Sequence, residues 1–203
     1  MSERRRPDHG DFDASYQGSE KAPWDIDRPQ PALAGVADQF SGRVLDAGCG
    51  TGEHALLAAS RGLEAFGVDF APTAIAVAEQ KARDRGLDAR FLVADALELG
   101  TLGEQFDTVV DCGLFHTFDD DDRVRYVSGL ADVMPTGGRV FLLCFSDRQP
   151  GDWGPRRIRE DELRASFSDG WRVDSIEPAE LAVTLFPEPV QAWLATITRL
   201  PSG

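Results

Sequence analysis

The sequence predicts an α/β doubly wound domain with a mainly parallel sheet, on three observations. From Pro31 onwards, short runs rich in β-formers alternate with helical patterns, the order that βαβ units with right-handed crossovers require. A glycine-rich turn with Gly48, Gly50 and Gly52 stands where the first strand passes into the first helix. The last two apolar runs have no helical pattern between them, so they form a terminal hairpin that adds an antiparallel strand to the sheet.

In chain order, residues 1 to 20 are polar and lack an apolar period, so they are expected to fray unless a ligand orders them. The stretch Lys21-Ala-Pro-Trp-Asp-Ile-Asp-Arg-Pro-Gln-Pro-Ala-Leu33 then places three prolines and a tryptophan ahead of any core element. Prolines restrict the free chain and so reduce the entropy lost when a segment closes. Residues 1–31 therefore read as an N-terminal arm or lid, and residues 32–203 as a single domain. Gly42 to Asp46 is the first strand, and Glu53 to Arg61 is the first helix, stopped by Gly62. Glu64 to Val68 is the second strand. Pro72 to Arg85 is the second helix, with proline in its first turn, where an N–H is not needed, and Gly86 past its end. Arg90 to Val93 and Phe106 to Val110 are the third and fourth strands, with Asp95 to Gln105 between them mostly loop. Asp121 to Met134 is a helix closed by Pro135-Thr-Gly-Gly138 before the apolar strand Arg139 to Phe145. The hairpin joins Trp171–Ile176 to Val190–Thr198.

A chain of 203 residues with 42% hydrophobic content fits one domain of ordinary size. Its formal net charge of −14 leaves no general electrostatic footprint for nucleic acid or an anionic membrane. The basic opening Met-Ser-Glu-Arg-Arg-Arg leads into Pro7-Asp8-His9-Gly10-Asp11 where a signal peptide needs an apolar run. No window approaches the ~18 apolar residues of a spanning helix. Cys49, Cys112 and Cys144 are odd in number and far apart, which suggests reduced thiols rather than a disulfide framework or metal site. These features describe a soluble cytoplasmic protein, monomeric or weakly dimeric, whose partner is a small molecule and not nucleic acid or membrane.

The glycines at 48, 50 and 52 permit positive φ and let backbone approach a ligand, beside the strand ends where open α/β sheets bind. Asp69 follows the second strand, where a carboxylate can take both ribose hydroxyls of a nucleoside. The spacing is Gly-x-Gly-x-Gly, not the Gly-x-Gly-x-x-Gly that seats a pyrophosphate, and Glu53 in the first helical turn would repel a phosphate. Asp46, inside the end of the first strand, can face an amino-acid ammonium, and Asp95, ending the third, can accept an exocyclic amine. Each acid alone could be a strand-end or N-cap aspartate. Three in step around a glycine loop point to a cationic nucleoside without phosphates.

The order strand, Asp46-x-Gly48-x-Gly50-x-Gly52, strand, Asp69, strand, Asp95 resembles the class I S-adenosylmethionine-dependent methyltransferases over residues 40 to 145. The resemblance implies a Rossmann-like sheet of seven strands with the last antiparallel, and S-adenosyl-L-methionine as cofactor. It gives Asp69 and Phe70 to the ribose side, Asp95 and Ala96 to the adenine, the 48–52 loop to the methionine portion, and Asp111 and Cys112 to the same pocket. Pro23-Trp24-Asp25 followed by Arg28-Pro-Gln-Pro31 is similar to the arm of the thiopurine and thiol methyltransferase group and its tellurite-resistance-like relatives, in which the tryptophan covers the cofactor. Those relatives usually carry glycine where this chain has Asp27, and an aspartate tolerates positive φ less well. Asp119 to Tyr126 and Cys144 to Gly151 are similar to actinobacterial members that methylate small aromatic hydroxyl or N-hydroxy compounds.

Methyl transfer from a sulfonium is an in-line displacement in which positive charge disperses, so alignment and exclusion of water carry the catalysis; alignment alone is worth ~7–11 kcal/mol. Thiols and N-hydroxy heteroaromatics ionise with little help, whereas ordinary phenols need a base. His116, just past the fourth strand, is the base candidate, since its unperturbed pKa suits proton uptake; the competing reading is a loop histidine bonded to backbone. Asp25 is a second candidate, against a salt bridge or turn cap. Trp24 can lie over the sulfonium, and Phe12, Tyr16 and Trp153 can wall a flat acceptor or belong to the core. Arg148, with Arg156 and Arg157, can face an anionic acceptor or be solvated. The Asp119–Asp122 run satisfies free N–H groups at a helix start without an ion, so no metal is expected. The chain is read as transferring a methyl group to a small-molecule thiol, phenolic hydroxyl or N-hydroxy heteroaromatic. A non-catalytic cofactor-binding sensor and a nicotinamide-dependent oxidoreductase stand as alternatives.

Overall fold

A computed structural model describes residues 9–17 and 22–201. The strands are β1 (Arg43–Ala47), β2 (Glu64–Asp69), β3 (Ala89–Val93), β4 (Thr108–Cys112), β5 (Arg139–Phe145), β6 (Trp171–Leu181) and β7 (Val190–Arg199). They form one sheet of seven strands in the order β3-β2-β1-β4-β5-β7-β6. β1 to β5 are parallel, and β7 runs antiparallel between β5 and β6. The expected class and the terminal hairpin are both present. The hairpin is longer than the sequence suggested, with β6 running on through Pro178 to Leu181; Pro178 is tolerated because β6 is an edge strand.

The helices are α1 (His9–Gln17), α2 (Pro31–Val36), α3 (Glu53–Ser60), α4 (Pro72–Arg85), α5 (Asp120–Val133) and α6 (Glu160–Ser166). α4 coincides with expectation, with Pro72 opening it and Gly86 closing it at φ 62°. Four segments differ. α1 occupies a stretch expected to fray, because tertiary contacts supply what its sequence lacks: Asp13 Oδ1 accepts from the Thr73 N–H at the start of α4 at 3.0 Å. Residues 96–102, expected as loop, form a 3₁₀ segment whose first turn is capped by Asp95, which accepts from the Leu97 N–H. β4 begins at Thr108, not Phe106, because the Phe106 N–H donates to the Val133 carbonyl outside the ladder. α6 had no counterpart in the sequence reading; its seven residues bury only Leu163.

Strand alternation sends side chains to two faces. Leu45, Val140, Leu142 and Cys144 pack with Tyr126 and Leu130 of α5. Val44, Phe141, Leu143 and Phe145 pack with Leu33 of α2, Leu56 of α3 and Ile75 and Ala78 of α4. Each fully buried aliphatic or aromatic side chain contributes about 1.5–3 kcal/mol. The strand order reverses between β1 and β4, which opens a crevice beyond their carboxyl ends. Register aligns Ala47 with Asp111 and Val68, and Asp69 with Val93, so the acidic strand ends converge there.

Candidate active site

The turn after β1 holds Gly48, Gly50 and Gly52 at φ 68°, 51° and 85°, a region closed to most side chains. At Gly52 a Cβ would also lie 2.7 Å from the Phe91 ring and 2.8 Å from Ala78. The Gly50 N–H donates to Asp69 Oδ2, and the Ala71 N–H to Asp69 Oδ1, each at 2.9 Å. The backbone thus fixes this carboxylate at the mouth of the crevice, while burial raises its pKa.

Asp46 alternates onto the α3 face and is fully buried. Its Oδ2 accepts from the Ala55 N–H at 3.1 Å, and its Oδ1 is buried without a partner. Burial first, then the charges of Asp69 and Asp111, raise its pKa to about 7. His54 Nδ1 lies 3.9 Å from Asp46 Oδ2, but burial holds this imidazole down at about 4, so it supplies no cation at neutral pH. Among the described residues no lysine or arginine pairs with Asp46 or Asp69. A glycine cradle edged by acids that lack a counter-charge fits a ligand carrying positive charge, as S-adenosylmethionine does.

Other expected cofactor contacts divide. Asp95, with Ala96 buried beside it, caps the 3₁₀ turn at the end of β3 and faces the same rim as Asp69 and Phe70. Cys112 ends β4, with its thiol pushed well up by burial. Asp111 is committed inward: it accepts from the N–H groups of Leu114 and Phe115 and from the Tyr126 hydroxyl at 2.9 Å. These bonds anchor the loop after β4.

The arm lies against the glycine loop. Trp24 Nε1 donates to the Tyr16 hydroxyl at 2.8 Å, with the rings edge-to-face at 6.3 Å, and a Cβ on Gly50 would approach that hydroxyl to 2.9 Å. Tyr16 therefore sits beside the glycine loop, in contact with Trp24. The Phe12 side chain falls outside the described residues. Asp25 Oδ2 accepts from the Thr51 hydroxyl at 3.0 Å and Oδ1 from the Asp27 N–H at 3.0 Å. Each oxygen accepts one hydrogen bond, so Asp25 serves as turn cap and anchor between the arm and the glycine loop. Asp27 adopts φ 57°, the left-handed conformation glycine would take, and its Asx turn on Asp25 stabilises it there.

Sequence reasoning missed Thr51 and Lys81. Lys81 Nζ donates to Thr51 Oγ1 at 2.7 Å and to Glu53 Oε1 at 2.8 Å. A signal was available, since Lys21 and Lys81 are the only lysines in a chain that otherwise uses arginine. Glu53 is also paired with Arg85 through both oxygens, so its charge is neutralised and does not itself repel a phosphate, contrary to expectation.

His116 does not present a basic nitrogen in this arrangement. Its Nδ1 accepts from the Phe145 N–H at 3.0 Å, which leaves the neutral ring with its proton on Nε2. Burial, then Arg123 and Arg157, depress its pKa to about 3. Its ring packs on Phe145 (5.0 Å), Phe145 on Trp153 (5.7 Å) and Trp153 on Phe186 (4.9 Å). Arg157 stacks on Phe145 and Trp153 at 5.3 and 5.5 Å. Arg148 instead stacks on Trp193, which belongs to the α5 face of the sheet, so the structure does not bring it to Trp153. Asp119 caps α5 through the Asp122 N–H, and Asp120 pairs with Arg156.

Residues 44–138 match a family model described as a methyltransferase domain. The chain is 37% identical over 181 residues to the 2-heptyl-1-hydroxyquinolin-4(1H)-one methyltransferase of Mycobacteroides abscessus, covering 84% of this chain and 80% of that protein. A solved chain from work on the conversion of a disulfide bond into a thioacetal group during echinomycin biosynthesis superposes with TM-score 0.87 at 38% identity, covering 95% of this chain and 93% of that one. The magnesium protoporphyrin IX methyltransferase of Synechocystis PCC 6803, solved with bound S-adenosylmethionine, shares the fold at TM-score 0.63 and 21% identity, covering 83% of this chain and 74% of that one. With the glycine loop, the strand-end acids and the sheet order in place, the chain belongs to the class I S-adenosylmethionine-dependent methyltransferases and methylates a small molecule.

Proposed function

We propose that the acceptor is a flat N-hydroxy heteroaromatic that reaches the site already ionised. The observation that supports this is the state of the two expected bases: His116 Nδ1 accepts from the Phe145 N–H, and Asp25 is tied by a hydrogen bond on each oxygen to the glycine loop and the arm. Acceptors that need deprotonation by the protein are disfavoured by that arrangement, and those acidic in water are not. Bound S-adenosylmethionine supplies an electrophilic methyl group on a sulfonium. Asp69 holds the ribose, Asp95 the adenine amine and Asp46 the ammonium. Trp24 covers the cofactor, and the rings of Phe145 and Trp153 seat the acceptor face-on. Arg157 draws its negative charge, and His116 Nε2 donates a hydrogen bond toward the anionic oxygen.

The quinolone named for the Mycobacteroides relative carries a heptyl chain, and a shallow apolar groove of about 490 Å³ begins at Phe186 and runs between α2 and the β6–β7 hairpin, lined by Ala32, Ala179, Val183 and Leu194. An alkyl substituent lies there. A sulfur acceptor is the second reading, favoured by the structural relative from disulfide-to-thioacetal chemistry. The free thiols Cys49, Cys112 and Cys144 support a reducing compartment, consistent with a cytoplasmic enzyme, monomeric or weakly dimeric. No helix among the described residues is long and apolar enough to cross a membrane.

Radiolabelled methyl transfer to a panel of N-hydroxyquinolones, thiols and phenols tests the assignment. N-hydroxyquinolones should turn over fastest, with the heptyl compound at lower KM than the unsubstituted one. Preferential turnover of ordinary phenols would require a base and would overturn the assignment.

A further inference from the structure

We propose that Lys81, on α4, is a positioning residue that latches the arm over the glycine loop through Thr51. The proposal rests on residues 22–31 acting as a lid. Lys81 Nζ donates to the Thr51 hydroxyl at 2.7 Å, and that hydroxyl donates onward to Asp25 Oδ2 at 3.0 Å. Thr51 stands between Gly50 and Gly52, so the relay joins three separate segments: α4, the loop and the arm. The same ammonium lies 3.6 Å from Asp27 Oδ1 and 4.0 Å from Asp25 Oδ1. It is the cation at the centre of Asp25, Asp27 and Glu53, and only 16% of its side chain is exposed.

Charge decides why the latch needs a cation. Glu53 already has Arg85 on both oxygens, so removing Lys81 leaves Glu53 paired. Asp25 and Asp27 lose the Lys81 ammonium that links both of them to α4. A partly buried ion cluster is screened less than a surface pair. The consequence is directional: an ammonium can only donate, so Lys81 occupies the Thr51 oxygen as acceptor and turns the single hydroxyl proton toward Asp25. Trp24 follows directly before Asp25 and bonds Tyr16 of α1, whose hydroxyl lies against Gly50, so arm and α1 meet the loop side by side.

Endoproteinase Lys-C offers a specific readout, because Lys21 and Lys81 are the only lysines. In Lys81→Met and Lys81→Arg the enzyme has Lys21 alone to cut. Lys81→Met is expected to be cleaved at Lys21 at least fivefold faster than Lys81→Arg. It is also expected to bind S-adenosylhomocysteine about tenfold more weakly and to raise KM for the cofactor similarly, with kcat at saturation within twofold. Asp25→Asn should add little to Lys81→Met in either readout, since both break one relay. Thr51→Val, which keeps the ammonium but cannot relay, should match Lys81→Met. Equal cleavage and equal cofactor affinity in Lys81→Met and Lys81→Arg would overturn the latch. If cofactor protects Lys21 in neither the parent protein nor the variants, the lid reading fails as well; protection in the parent with indifferent variants sinks the latch alone.

Discussion

Asp46 is a carboxylic acid placed where ionisation costs folding energy. Its folded pKa of about 7 stands above the ordinary 3.8, so folding prefers the protonated form. Its contribution is therefore fully present below about pH 4 and is lost as pH rises through 7. Asp111, raised by burial to about 6, adds a term of the same sign. The thermal midpoint of the ligand-free protein is expected to fall across this window, and Asp46→Asn should flatten the fall. Stabilisation by S-adenosylmethionine should grow with pH over the same range, because a ligand cation offsets the charge that appears. Differential scanning fluorimetry from pH 4 to 8 checks both. Asp69→Ala should abolish cofactor binding in calorimetric titration if this carboxylate, held by the Gly50 and Ala71 N–H groups, takes the ribose as proposed. His116→Gln should leave the pH profile of kcat/KM where the acceptor's own ionisation puts it; loss of an inflection near the ordinary histidine range would restore a base role. The contrast shows what sequence can carry. Asp69 was legible because strand period and glycine spacing locate it. The tautomer of His116 was not, because its partner is a backbone N–H 29 positions away.

At the scale of elements, α4 was legible to the residue because both of its ends are signalled chemically, by Pro72 and Gly86. α1 was not, because nothing in Asp13 or Tyr16 announces a partner on α4 or the glycine loop. Asp13→Ala should therefore loosen α1 with little effect on global unfolding, which hydrogen exchange of residues 9–17 against the sheet would resolve. Asp27 makes a sharper case. Its left-handed backbone is one that glycine adopts freely and a β-branched side chain resists by roughly 1–2 kcal/mol. Asp27→Gly should keep the arm closed to Lys-C, and Asp27→Val should open it.

For the whole molecule, the doubly wound sheet follows from alternation alone, and the reversal of strand order between β1 and β4 fixes where a ligand must sit. The net charge of −14 supplies no general attraction for a polyanion, so label transfer to cellular RNA is expected to stay at background, and incorporation into RNA would overturn that expectation. The separation of Arg148 from Trp153 lay beyond sequence reading, since the two stand five positions apart on a loop that distributes them to opposite faces of the sheet.

The contact between Trp24 and Tyr16 also gives the protein an optical property. Trp171 and Trp193 are buried, whereas Trp24 is 42% exposed and hydrogen-bonded to a phenol. Ring centroids 6.3 Å apart allow efficient excitation transfer from tyrosine to indole. The emission maximum of Trp24 and its sensitisation through Tyr16 thus form an intrinsic gauge of how the arm rides on α1. A stopped-flow trace could follow cofactor capture with no dye attached.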